Sequence, residues 1–157
     1  MQILLASAKI MNSTTTVQTP KTHLPRFKKE AGQMALELGD LSVEELAKVI
    51  PCNEKIALEN KLRYQDFFNE EAYLPALLAY YGQAYKCLKA QEYNQEDFSY
   101  ADKHLWITSF LYGLLRPLDL IHPYRLEGKA KLPSSEGKNM FAYWKPFLTD
   151  ILIEAVK

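Results

Sequence analysis

Apolar residues along this chain fall into short runs of changing period. Gln2–Ala6 is a brief, largely apolar run that ends in polar residues, and it predicts a buried strand. Asn12–Pro25 is rich in Thr, Ser and Pro and predicts a loop. Arg26–Gly39 carries Ala31, Met34, Ala35 and Leu38 at helical spacing and predicts a helix. Ser42–Ile50 opens with a capping box, because Ser42 can accept from first-turn N–H groups while Glu45 reaches back. Pro51 breaks the chain. Asn53 is then a good N-cap for a second helix reaching to Phe68, with Ile56, Leu58, Leu62 and Phe67 as its apolar positions. Two helices across a tight turn make a helical hairpin, residues 41–67.

The second half is less regular. Leu74–Tyr81 fits a strand or a short helix, and periodicity does not separate them. Ala84–Ala90 predicts a helix, and Asn94 caps another over Gln95–His104, with Asp97 at a favourable first-turn site. Leu105–Phe110 predicts a strand. Gly113, Pro117, Pro123 and Gly128 punctuate Leu111–Leu132, predicting turns and short strands. Gly137 and Asn139 precede a final helix, Met140–Val156. Its apolar residues, from Phe141 and Trp144 to Ala155 and Val156, cover most of the circumference, which predicts burial on several sides. No later element covers it, so the expectation is either a partner on this helix or a chain that is a fragment. Strands and helices mix without a strict βαβ rhythm, which predicts an α+β (mixed α/β) fold in one domain, residues 1–157, with an incomplete mixed sheet.

Composition adds bounds. Of 157 residues, 48% are hydrophobic, enough to bury a core, and 19 Lys plus Arg balance 19 Asp plus Glu. Net charge therefore gives no general pull toward nucleic acid or an anionic membrane. The distribution is uneven. Residues 1–29 contain Lys9, Lys21, Arg26, Lys28 and Lys29 and no acid, residues 30–76 are strongly acidic, and Arg116–Lys145 is basic again. That asymmetry fits either an anion-binding face or ordinary solvated surface. Two cysteines, Cys52 and Cys87, make no disulfide framework and no CxxC, and both are expected to be inert buried thiols. The N-terminus lacks a basic region before its apolar run, no membrane-spanning run is present, and a cytoplasmic location is expected.

The densest polar cluster lies within Arg116–Lys131: Arg116, Asp119, His122, Tyr124, Arg125, Glu127, Lys129 and Lys131. Pro117 and Pro123 stiffen it, which lowers the entropy lost on holding a ligand. Arginine forks suit phosphate or carboxylate, and tyrosine can stack or donate. The same residues can instead form salt bridges, Arg116 with Asp119 and Arg125 with Glu127, that pin a turn. Lys9 follows the first predicted strand, where open α/β sheets collect ligands. Tyr80, Tyr81, Tyr85, Tyr93 and Tyr100 crowd one region and fit either base stacking or half-buried packing with wet hydroxyls. His23, His104 and His122 lack metal-ligand spacing, and no cofactor fingerprint, P-loop or catalytic triad signature is present.

The stretch Leu111–Glu127, LYGLLRPLDLIHPYRLE, resembles the central signature of the YaaA peroxide-stress family. His104-Leu105, Ser109 and Leu111-Tyr112-Gly113 resemble its H-L-x-x-x-S-x-L-Y-G stretch. Ala8-Lys9 is similar to its S-P-A-K-T opening, Gly82 and Tyr85 to its G-D-V-Y turn, and Met140-Phe141 with Trp144 to a later aromatic helix. The chain departs at Ala6 and Ser7, at Ile10, at Gln83 and at Gly128-Lys129, and family members usually continue for a further C-terminal segment.

The resemblance implies a bacterial, cytosolic protein that limits peroxide damage through intracellular iron control or DNA protection. It also implies DNA binding through a helix-hairpin-helix and a positively charged cleft. Residue by residue, the anion- or DNA-binding set is Lys9, Arg116, Tyr124, Arg125, Lys129 and Lys131, supported by His104, Asp119 and Glu127. Lys55, Lys61 and Arg63 are the hairpin's contribution, although its turn, Ile50-Pro51-Cys52-Asn53, lacks a Gly-x-Gly and sits among acids. DNA is the expected partner, without a cofactor or metal. An enzyme acting on a nucleotide or nucleobase-like anion, and an inactive truncated fragment, are the alternatives. Convergence of Lys9, Arg116 and Arg125 on one cleft is the geometric point that separates a site from a set of salt bridges.

Overall fold

The computed structural model describes residues 1–157 and has an α+β fold. A three-stranded sheet runs in the order β1 (Ile3–Ala6), β3 (Leu105–Ser109) and β4 (Gly113–Leu115). β1 and β3 are parallel, with Ile3 opposite Leu105 and Ala6 opposite Thr108, whereas β4 returns antiparallel along β3. A two-stranded antiparallel ribbon joins β2 (Leu74–Pro75) to β5 (Leu120–Ile121). Seven helices surround these sheets: α1 (Lys28–Asp40), α2 (Val43–Val49), α3 (Glu54–Gln65), α4 (Ala76–Ala79), α5 (Gln83–Leu88), α6 (Gln95–His104) and α7 (Met140–Ala155). One apolar cluster unites α1, the inner face of β3, the turns after it and the first turns of α7.

The helix starts follow from capping chemistry. Ser42 and Glu45 form the expected capping box at α2, and Asn53, Asn94 and Asn139 each accept a first-turn backbone N–H. Each cap is worth about 1 kcal/mol. At the other end of α1, Lys61 donates its ammonium hydrogens to the Gly39 and Leu41 carbonyls, the first at 2.9 Å. That ties α3 to α1 by satisfying carbonyls that the helix end leaves free.

Four expectations are corrected. β1 is not a buried strand: Ile3 and Leu4 are exposed, because β1 is the edge of the sheet and β3 takes the central, buried position. In α3 the buried face is Ala57, Asn60 and Tyr64, while Leu58 and Leu62 point to solvent. Ala57 permits close approach, and Asn60 satisfies its own amide on the Ile56 carbonyl at 3.0 Å. α7 is not buried on several sides. Only Met140 and Trp144 are fully enclosed, and Phe141, Ile153 and Val156 are exposed. Cys87 is exposed and Cys52 half-buried, because α5 turns Tyr85 rather than Cys87 inward. Leu74–Tyr81 resolves into both options, the strand β2 running directly into the helical turn α4.

Trp144 docks α7. Its indole N–H donates to the Phe110 carbonyl at 2.6 Å, and its ring lies on Gly113, which has a φ of +75°. A Cβ at residue 113 would sit 2.6 Å from that ring. Gly113→Ala is expected to destabilise the fold by about 2 kcal/mol or more, from backbone strain plus the clash, read as a lowered urea midpoint at unchanged m-value. An unchanged midpoint would show that α7 is not seated on this turn.

Candidate functional site

The carboxyl ends of β1 and β3 lie side by side because the strands are parallel. The chain leaving β1 carries Ser7 and Lys9, and the chain leaving β3 carries Ser109 and Phe110. Beneath them is a buried hydroxyl network. The Tyr124 hydroxyl is 2.6 Å from that of Tyr80 and 2.5 Å from the Ser109 hydroxyl, whose oxygen also accepts the Tyr112 N–H at 2.9 Å. Tyr85 donates to the Ala6 carbonyl at 2.7 Å. Burial pushes the phenols of Tyr80, Tyr85 and Tyr124 up from their ordinary value, so they serve as neutral hydrogen-bonding posts. The hydroxyls of Tyr80 and Tyr124 are dry, unlike the wet packing expected for the tyrosine-rich region, whereas Tyr81 and Tyr100 are exposed.

From this floor the chain emerges in a fixed direction. Tyr64 of α3 donates its hydroxyl to the Arg125 carbonyl. The Arg125 side chain then pairs with Glu127, Nε to Oε1 at 3.0 Å, and the other Glu127 oxygen is 3.5 Å from the Lys9 ammonium. Lys9 and Glu127 line a cleft of about 440 Å³ together with Lys48, Lys129, Phe110 and Phe141. Val49 and Pro51, at the turn of the helical hairpin, close its far wall. Three lysines thus line a cleft with a single carboxylate, which Arg125 and Lys9 already pair. The cleft is electropositive within a chain of zero net charge.

Arg116 lies elsewhere, for a topological reason. β4 runs antiparallel to β3, so Arg116 is carried back toward Trp106, away from the ends of β1 and β3. Its guanidinium stacks 3.2 Å from the centre of a Trp106 ring and donates to the Leu105 carbonyl at 3.4 Å. Arg116 does not pair side chain to side chain with Asp119; its backbone N–H donates to that carboxylate at 2.7 Å. Asp119 instead meets His23, whose other ring nitrogen is 2.9 Å from Asp102. The expected convergence of Lys9, Arg116 and Arg125 is therefore half met: Lys9 and Arg125 share the Glu127 carboxylate, and Arg116 belongs to a separate cluster.

The remaining sequence candidates separate as well. Tyr124 lies beneath the cleft, buried. His104 stands at the opposite end of β3, bonded to the Met1 carbonyl at 2.8 Å and packed on Tyr100. Lys131 is exposed beside Asn139. Within the hairpin, Lys61 is engaged on the end of α1, Arg63 pairs with Glu59 at 3.3 Å, and Lys55 is exposed. Lys48, Phe141 and His23 were not singled out from sequence as site residues. Lys48 had one local signal, a base in the last turn of a helix just before a proline. A larger cavity of about 600 Å³ lies between α1 and Phe67, Phe68 and Tyr73, but it is apolar and holds none of the candidate residues. No group of three or more His, Cys, Asp or Glu side chains is placed to hold a metal ion, and no helix is long and apolar enough to cross a membrane.

The Arg125–Glu127 pair lies at the end of the stretch Leu111–Glu127, Ser109 lies in the stretch just before it, and Lys9 lies in the segment similar to the family's opening. The family model for peroxide stress protein YaaA matches residues 1–157. The chain belongs to the YaaA peroxide-stress family. Among the relatives of this YaaA-family chain are UPF0246 proteins of Bacteroides fragilis, 51% identical over 158 residues, of Phocaeicola vulgatus, 50% identical, and of Porphyromonas gingivalis, 42% identical over 165 residues. Each alignment covers 100% of this chain and 62% of the relative, so the chain spans less than two thirds of the length of these curated relatives.

Two outcomes follow from this geometry. Tyr124→Phe is expected to cost about 1–3 kcal/mol of stability, because it leaves the Tyr80 and Ser109 hydroxyls buried without their common partner. Chemical denaturation measures this, and a neutral substitution would mean that the network is not closed. The second concerns His23. Burial draws its pKa down, but hydrogen bonds and charges from Asp102 and Asp119 outweigh that and raise it above its ordinary 6.5. A raised folded-state pKa stabilises fully below the unfolded value and ceases to do so as pH rises through the folded value. Stability is therefore expected to fall as pH climbs from about 6.5 upward, by under about 1 kcal/mol because the ring is partly solvent-screened. In His23→Gln that slope should vanish from melting curves taken across the interval; a slope that persists would place the titration elsewhere.

Proposed function

We propose that this YaaA-family chain contributes to peroxide resistance by holding the phosphate backbone of DNA in the Lys9–Lys48–Lys129 cleft. The observation that carries the reading is the gathering of three lysines from three separate segments around one concavity, with the only carboxylate there paired to Arg125. Ammonium groups on flexible stems suit a charged, sequence-independent backbone, where affinity comes from counterion release. Family membership supports the peroxide-stress setting, and the family resemblance supports DNA as the partner. The position of Lys48 gives the helical hairpin a part in this: the end of α2 supplies one base of the cleft and the turn after it a wall, while Lys61 and Arg63 serve the hairpin's own structure.

Fluorescence anisotropy of a labelled duplex titrated with the 157-residue chain, across a salt series, tests the reading. Each of Lys9→Ala, Lys48→Ala and Lys129→Ala should weaken binding for all sequences alike. Each should also reduce the slope of log affinity against log salt by about one. Lys86→Ala, on α5 away from the cleft, serves as the unaffected reference. Indifference of binding to all three cleft substitutions would remove the cleft from the function. A thermal shift with mononucleotides but no duplex binding would favour an enzyme acting on a nucleotide-like anion.

A further inference from the structure

The cavity of about 600 Å³ between α1 and the Phe67–Tyr73 segment shares no lining residue with the lysine cleft. Two of its lining side chains, Phe67 and Tyr112, are buried and stacked with ring centres 5.8 Å apart. Leu36 and Phe68 also line it and are more than half exposed, at 59% and 53%. A Cβ at Gly32 would stand 3.2 Å from the Phe68 ring. A glycine inside a helix is disfavoured against alanine, and here the missing side chain leaves room beside that ring. Two bases, Lys28 and Lys29, line this apolar space, and no carboxylate does. The ion pairs formed by lysines and arginines engage Lys9, Arg63, Arg125 and Lys157, and leave Lys28 and Lys29 without a partner. Both stand in the first turn of α1, where the helix dipole disfavours cations and no side chain caps the N–H groups. The acids near by are placed otherwise. Glu30 lies toward Tyr143 of α7, whose phenol is raised by burial and then by the charges of Glu30 and Glu37. Asp66 is 3.3 Å from His122. Glu70 lies near Tyr73, whose phenol is raised by burial and then by that charge, but it does not line the cavity.

A mostly apolar cavity of this size, with a few charged groups of one sign, is the form taken by sites for small organic ligands. The aromatic lining calls for a body that gains by leaving water, and the two unpaired ammoniums call for an anion attached to it. We propose that this cavity binds a medium-chain carboxylic acid, its acyl chain lying along Gly32, Phe67, Phe68 and Tyr112 and its carboxylate held by Lys28 and Lys29. Charge complementarity sets the occupant. An inorganic anion or a polyanion would answer the lysines and leave Phe67 and Tyr112 with nothing to cover them. A cationic amphiphile would cover the rings and add a third positive charge. Because the cavity stands apart from the Lys9–Lys48–Lys129 cleft, the inference does not rest on the DNA reading.

Isothermal titration calorimetry of the 157-residue chain with decanoate below its micelle concentration, and with decanol, decylamine and acetate, tests the inference. Decanoate should bind tightest, decanol more weakly, and decylamine and acetate least. From hexanoate to decanoate, affinity should rise roughly two- to fourfold per added methylene. The double variant Lys28→Ala, Lys29→Ala should weaken decanoate roughly tenfold and leave decanol unchanged. Leu36→Glu adds a carboxylate at an exposed position, where folding is not at stake, and should weaken decanoate while sparing decanol. Gly32→Leu fills the cavity and should abolish binding of both; circular dichroism confirms that each variant is folded. Amide shifts induced by decanoate should centre on Gly32 and Phe68. Decanoate binding that ignores the lysines and Leu36→Glu, or that decylamine matches, would be apolar adsorption only and would overturn the inference. Shifts confined to the Lys9–Lys48–Lys129 cleft, or no binding of decanoate, would overturn it as well. Duplex affinity should be unchanged in Gly32→Leu, so this inference and the DNA reading can fail separately.

Discussion

A phenol placed inside an apolar core must find a partner, and the position of the Tyr124 hydroxyl governs much else in this molecule. It is satisfied by Ser109 at the end of β3 and by Tyr80 just beyond α4, two groups far apart in sequence. That one atom therefore joins the central strand, the β2–α4 corner and the segment after His122. Ser109 then turns the chain after β3 by accepting the Tyr112 N–H, and Tyr64 takes up the Arg125 carbonyl. With residues 124 and 125 held on both sides, Glu127 has little freedom in where it emerges. The polar wall of the cleft is thus set from below, by neutral hydroxyls that never meet solvent.

The electrostatics above that floor are uneven by construction. The chain's acids and bases cancel, but topology sorts them. Parallel pairing of β1 with β3 brings Lys9 beside Phe110 and the segment at Glu127, and the last turn of α2 adds Lys48. Antiparallel return of β4 sends Arg116 to the other side, where Trp106 covers its guanidinium and Asp102 and Asp119 bind His23. A basic cleft and a charge-paired cluster thereby each take part of the polar stretch Arg116–Lys131. Their separation depends on strand direction rather than on composition.

Local chemistry was legible in advance. Ser42, Asn53, Asn94 and Asn139 marked helix starts because capping involves only neighbours in sequence. The mixing of strands and helices without a strict βαβ rhythm pointed to the α+β class. What depended on distant partners was not legible. Whether Ile3 and Leu4 are buried depends on which strand takes the centre of the sheet, and nothing near residue 3 encodes that. Leu58 and Leu62 are more apolar than Asn60, yet Asn60 faces inward because its amide finds the Ile56 carbonyl. For the cleft, Lys9 could be located by the rule that ligands gather beyond strand ends, and Glu127 and Lys129 by the density of charge around them. Lys48 and Phe141 come from segments whose approach only the folded chain determines, and Arg116 was separated from Lys9 by a strand reversal that local patterning leaves open.

β1 has a hydrogen-bonded neighbour on one side only. Local opening draws on the least-protected parts of a fold, and a four-residue edge strand with exposed Ile3 and Leu4 is such a part. Lys9 hangs from the end of that strand, while Lys48 and Lys129 hang from a capped helix and from a segment anchored on the hydroxyl floor. Excursions of the edge would move one cation of the three and leave two in place. Such excursions would change the width and the charge of the cleft, and amide exchange at the first strand would report how often they occur.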